Sequence, residues 1–167
     1  MSISMYAASI PRFIAQLKAL DTILAKAGTH AEAKKIDPAV LLAARLFPDM
    51  FPLIRQVQIA CDHAKGAPAR LAGLDVPKFE DNEQTLADLR ARIARTIAFV
   101  ESVPASAIDH SEERDISLKS GPRELNFKGL DYLLGFALPN FYFHVGMAYA
   151  ILRHNGVEIG KRDYLGA

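Results

Sequence analysis

The sequence predicts an all-α fold, a four-helix bundle with one small β-hairpin between its third and fourth long helices. Three observations predict it. Apolar residues recur at spacings of three and four along four long segments. Sustained alternation at a spacing of two occurs only over a short stretch before the last segment. The link between the second and third segments, Leu74 to Glu80, is short enough to favour antiparallel neighbours.

The first segment, about Ser9 to Ala27, carries Ile10, Phe13, Ile14, Leu17, Leu20, Ile23 and Leu24 as its stripe, with Gly28 as its stop. With Ser9 as cap, Pro11 falls in the first turn, where its missing donor costs little. The second runs from about Pro52 to Leu71 and closes near Gly73; Pro68 is expected to kink or fray its last turn. The third is capped by Asp81 or Asn82, repeats Leu86, Leu89, Ile93, Ile97 and Val100, and ends at Pro104. Arg90, Arg92 and Arg95 are expected mainly on its solvated side.

The fourth segment, about Gly129 to Asn155, carries Leu130, Leu133, Leu134, Ala137, Leu138, Phe141, Val145, Ala148, Ile151 and Leu152, with Gly156 as its stop. The long first-to-second link, Thr29 to Phe51, has room for short helical turns at Ala31 to Lys35 and Pro38 to Leu46. Ile116, Leu118, Leu125 and Phe127 alternate around Ser120, Gly121 and Pro122, which reads as the hairpin. The closing stretch, Val157 to Ala167, reads as a tail packed back on the bundle or on a partner.

A chain of 167 residues is close to the length of one domain, so residues 1–167 are expected to form a single core. Half the residues are hydrophobic, 23% are charged and the formal net charge is +1, which calls for neither disorder nor a nucleic-acid partner. Cys61 is the lone cysteine, and Met1 to Ala8 lack the basic start and apolar run of a secretory signal, so a reducing cytoplasm is expected. Arg12, Lys18, Arg55, Asp62, Arg92 and Arg153 break the candidate apolar stretches, so no membrane span is expected.

Motifs exclude several enzyme classes. HExxH, CxxC, GxSxG and the glutamate-xx-histidine pair of di-iron bundles are all absent, and Gly156 with Gly160-Lys161 has the wrong spacing for a phosphate loop. Asp109, His110, Glu112, Glu113 and Asp115 read as a solvated loop; His30 and His154 read as helix-end residues. Asn140 and His144 differ, because a spacing of four puts both on one face of the last helix beside Ala137, Phe141 and Ala148. His63, on the second helix, meets His144 if those helices face each other. Neutral imidazoles suit zinc, nickel or iron, so His63, His144 and Asn140 form a candidate metal set whose amide oxygen is the weak donor. The plainer alternative makes His144 a core histidine bonded to Asn140, Tyr142 or a helix carbonyl, with Asp62 paired to Lys65 or an arginine.

The segments Ser4-Met5-Tyr6, Phe47-Pro48-Asp49-Met50, Arg55-Gln56-Val57-Gln58-Ile59-Ala60-Cys61-Asp62, Pro139-Asn140-Phe141-Tyr142-Phe143-His144 and Ile151-Leu152-Arg153-His154-Asn155-Gly156 resemble an uncharacterised bacterial family of unknown function, over nearly the whole chain. That family is similar to the broader DinB/YfiT-like group of four-helix bundles. The resemblance implies a bundle, often dimeric, in which three histidines hold a divalent metal and some members hydrolyse or transfer thiol-containing substrates. One such histidine lies on the second helix and two lie four apart on the last, which maps onto His63, Asn140 and His144 here, with asparagine replacing the middle histidine.

Two readings of function remain. In the first, the bundle binds a small ligand or another subunit through a degenerate metal pocket, with Asn140 and His144 lining a groove and Arg45, Asp49, Asp62 and Arg153 around its rim. In the second, it is a divalent-metal-dependent hydrolase or thiol-linked transferase using His63 and His144. A homodimer is expected, on the apolar residues Val157, Ile159, Tyr164 and Leu165 of the tail and on the resemblance.

Overall fold

The computed structural model describes residues 3–167. In chain order these form α1 (Met5–Lys34), α2 (Pro38–Ala43), α3 (Leu53–Ala72), α4 (Leu86–Ser102), α5 (Ala105–Ile108), strands β1 (Asp115–Ser120) and β2 (Arg123–Lys128), α6 (Gly129–Asp131), α7 (Leu138–His154) and α8 (Lys161–Leu165). The protein is mostly helical, with one antiparallel hairpin. The hairpin pairs Ile116 with Phe127 and Leu118 with Leu125 across the turn at Gly121 and Pro122.

α1 is longer at both ends than its apolar stripe suggests. Ser4, not Ser9, caps it, accepting from the Ala7 amide at 3.2 Å, while the Ser9 hydroxyl turns back onto the Met5 carbonyl. Asp109 supplies a further N-terminal acceptor by taking the Tyr6 amide at 2.9 Å, which gives part of the acidic loop a structural role. Pro11 therefore lies in the second turn, not the first. Gly28 does not stop the helix, because helical residues continue to Lys34 and Lys35 takes the left-handed cap conformation. His30 is thus within α1 rather than at its end.

α3 agrees closely with its expected bounds and ends on Gly73, whose φ of 71° is the left-handed cap that glycine adopts without strain. Pro68 is buried inside this helix and the helical run continues past it to Ala72. α4 starts later than expected, on a reciprocal cap between Thr85 and Asp88. Asp81 and Asn82 come first in the chain, but Asp81 is already committed to Arg55 and Arg92.

The last long segment is helical without a break but not uniformly α. Between α6 and α7, Tyr132–Ala137 forms a π-helical turn, in which the Leu138 amide reaches back five residues to the Leu133 carbonyl. Pro139 follows at once; lacking an N–H, it cannot complete an α-helical bond to the Gly135 carbonyl, which favours the wider turn there. Gly129, at the start of α6, lies so close to the Ser111 carbonyl that a Cβ would collide with it.

α3 packs against α7 and α4, and α1 against α4, α7 and α8. The core contains Phe13, Leu17, Leu20, Leu53, Val57, Leu89, Tyr132 and Phe141, with Phe13 edge-on to Phe141 at 4.9 Å. The tail folds onto its own chain: Val157 and Ile159 are buried, Gln16 donates to the Tyr164 carbonyl, and Lys26 pairs with Asp163. Leu165 alone of the tail's four apolar residues remains exposed. Among the described residues, no helix is long and apolar enough to cross a membrane.

Arg92 corrects the reading of α4. It is 3% exposed and points into the α3–α4 junction, unlike Arg90 and Arg95 on the same helix. Its position three residues after Leu89 and four before Thr96 puts it in the buried stripe itself.

Candidate functional site

Two stripes of residues face each other across the α3–α7 contact. On α3, Gln56, His63 and Arg70 are seven residues apart, two helical turns each, and so share a face. On the last segment, Tyr132, Phe136, Asn140 and His144 are four apart. The helices run antiparallel, so the stripes pair in opposite order: Gln56 with His144, His63 with His144 and Phe136, and Arg70 with Tyr132.

The histidine end of this ladder is buried. His144 is 9% exposed, and its Nδ1 is 2.7 Å from Gln56 Oε1. The Gln56 amide nitrogen is itself committed to the Phe51 carbonyl at 3.1 Å, which orients the amide oxygen toward the imidazole. His144 therefore carries its proton on Nδ1 as a donor to Gln56, and its Nε2 keeps a free lone pair. His63 stacks nearly parallel to His144, with ring centroids 5.9 Å apart and an interplanar angle of 15°. It also meets Phe136 edge-on at 5.7 Å.

Burial sets the charge state of both rings. Desolvation, reinforced by His144, pushes the His63 pKa from its ordinary 6.5 down to about 4; desolvation also lowers that of His144. Both are neutral imidazoles at pH 7. Asn140 lies one turn before His144, and its side-chain nitrogen donates to the Phe136 carbonyl at 2.7 Å, so its amide oxygen remains available.

The ladder opens into a cleft of about 300 Å³ lined by Asp62, His63, Arg70, Phe136 and Asn140, with Leu118 and Lys119 of β1 on the far side. The hairpin is anchored over it by Phe127, whose ring contacts Phe136 at 5.3 Å and Tyr132 at 6.0 Å. Asp62 is matched by two cations on one oxygen, Lys65 at 2.8 Å and Arg92 at 2.9 Å.

A family profile for a domain of unknown function, DUF1993, matches residues 5–165. The chain belongs to this family. A crystal structure of a DinB family member from Shewanella denitrificans is 46% identical to this DUF1993 domain, covers 97% of it and 92% of its own chain, and superimposes with a TM-score of 0.88. The DUF1993 fold here is accordingly DinB-like. No curated protein matches the chain.

The candidate residues of this DUF1993 domain divide into two groups. The structure brings together His63, Asn140, His144 and Asp62. It places Arg45, Asp49 and Arg153 elsewhere: all three are exposed, none lines the cleft, and Arg45 makes its hydrogen bond to the Pro48 carbonyl of its own loop. These three therefore stand apart from the cleft, in the connection after α2 and at the end of α7. Gln56, Arg70, Phe136 and Lys119 join the site without having been expected there. The signals available were the spacing of seven on α3 and the spacing of four extended back from Asn140 to Tyr132.

A three-ligand metal centre needs more strong donors than this set provides. The two imidazoles are stacked face to face, and among the described residues no three His, Cys, Asp or Glu side chains gather as a metal-holding group. The carboxylate of the cleft, Asp62, has one oxygen engaged by both Lys65 and Arg92. The donors present do not fit a three-ligand catalytic metal.

Proposed function

We propose that the chain is a DinB-like four-helix bundle that binds a small molecule in the cleft between α3 and the last long segment, a degenerate form of a metal pocket. The observation that carries this reading is the Gln56–His144 bond. It fixes the orientation of the His144 ring, against which neutral His63 stacks at the wall of the cleft beside the Asn140 amide oxygen, so that a ligand there meets polar groups of fixed direction. The buried thiol Cys61 is in keeping with a cytoplasmic setting, which we retain.

The test is elemental analysis of untagged protein after reconstitution with zinc, nickel and iron, with a small-molecule fragment screen read on the His63 ring protons by NMR. The expected result is no stoichiometric metal and a set of fragments that shift the His63 resonances. Stoichiometric metal that disappears in His144→Ala overturns the reading in favour of a divalent-metal hydrolase or thiol-linked transferase.

We propose further that the protein is a homodimer. The tail is used within its own chain, so the support moves to the last helical segment: Tyr132 to Leu152 contains no Asp, Glu, Lys or Arg, yet Leu134 and Phe143 on it are each 53% exposed. A charge-free face can meet its own copy across a two-fold axis without like-charge repulsion. Light scattering at micromolar concentration is expected to give twice the chain mass of 18.3 kDa; a monomer mass removes the proposal.

A further inference from the structure

Gly66 sits in the middle of α3, buried, where a glycine costs helix stability and no turn needs it. Its neighbour explains it. The Arg70 side chain lies back along the helix across the bare Cα of Gly66, so that a Cβ at position 66 would collide with Arg70 Nη1. Held there, the guanidinium donates to the Tyr132 hydroxyl at 3.0 Å and lines the cleft. Among the described residues no carboxylate pairs with Arg70.

The rest of the cleft leaves this charge uncompensated. Asp62, its one acidic residue, is already matched by Lys65 and Arg92; Lys119 of β1 adds a second cation to the lining. Phe136 and Leu118 give the same space an apolar surface. A planar guanidinium with spare donors, a lysine at the rim of the same cleft and an aromatic wall match a carboxylate carried on a small apolar body.

From the placement of Arg70 across Gly66 and in one cleft with Lys119, we infer that the cleft recognises a small organic carboxylate, with Arg70 as the residue that receives its anionic group. This rests on the small-ligand reading above and narrows it to a chemical class. Gly66 is then a positioning residue, kept small so that the arginine can lie where the carboxylate is met.

The experiment titrates benzoate, and its neutral isostere benzamide, into the full-length protein while following the His63 ring protons by NMR. Benzoate is expected to shift them saturably and benzamide to bind at least about tenfold more weakly, the loss typical of a charge-assisted pair. Arg70→Met and Gly66→Ala are each expected to weaken benzoate binding by about tenfold or more. Gly66→Ala separates binding from folding, because the obstructing atom is the movable end of a side chain and the helix gain of alanine offsets the loss of the Arg70–Tyr132 bond, so its thermal stability is expected to stay close to wild type. Wild-type benzoate affinity in Gly66→Ala, or equal binding of benzamide and benzoate, overturns the inference. Should neutral fragments bind while benzoate does not, the carboxylate assignment fails and the cleft reading stands; should no organic compound move His63, both fail.

Discussion

Replacing Arg92 with methionine is expected to destabilise the fold by about 3–5 kcal/mol, the range for removing one partner of a buried ionic group. The guanidinium is all but inaccessible, and it joins four acceptors: Glu83 at 2.9 Å, Asp62 at 2.9 Å, Asp81 at 3.0 Å and the Glu80 carbonyl at 3.1 Å. Three of these lie in the segment between α3 and α4, which has no regular structure of its own. Phe79 of the same segment packs under Arg95, whose guanidinium carbon is 3.6 Å from the ring centroid, with Arg92 and Lys65 nearby. Arg92 is thus the point at which a long irregular connection is fastened to two helices.

The cost falls chiefly on Glu83. Its side chain is 7% exposed, and without Arg92 it keeps only the Gln58 amide at 2.7 Å. Urea denaturation measures the loss, and a second substitution separates its causes. Adding Glu83→Gln to Arg92→Met is expected to restore part of the stability, because the stranded charge is gone. A loss below about 1 kcal/mol in the single variant contradicts this account, since that is the scale of an exposed pair.

The second large effect is a loss of stability in mild acid. His63 titrates near 6.5 when unfolded and near 4 in the fold, so between these values the unfolded chain binds a proton that the folded chain refuses. Its contribution is complete above pH 6.5 and is lost as pH falls toward 4, to a limit of about 3 kcal/mol, because each tenfold difference in proton affinity between the two states is worth about 1.4 kcal/mol. His144 is shifted in the same direction and steepens the slope. Among the groups facing His63, Asp62 favours its protonation, while Arg70, Lys65 and His144 oppose it.

Urea midpoints at pH 7.5, 6 and 5 should therefore decline in order, and His63→Gln should flatten the decline. Asp88 and Asp163 do not obscure it. Their depressed carboxyls contribute stability that is lost only as pH falls below their ordinary 3.8. An unchanged slope in His63→Gln places the acid sensitivity elsewhere.

The sequence alone determined where the helices lie and which faces they bury, because periodic apolar burial is a local property written at spacings of three and four. α3 was legible nearly to the residue, as were the hairpin with its turn and the pair Asn140 and His144 on one face. Helix ends were less legible, since Ser4, Ser9, Asp81, Asn82 and Thr85 are all competent caps; the choice of Thr85 follows from Asp81 being taken by Arg55 and Arg92. Arg92 and Arg70 show the same limit. A charged residue looks solvated until its partners are known, and those partners lie on other elements or, for Arg70, on a helix more than sixty residues away. Only the tertiary structure decided that Gln56, His63 and Arg70 would face Tyr132, Phe136, Asn140 and His144, because an antiparallel pairing and a π-helical turn set that register, and neither is a property of any one segment.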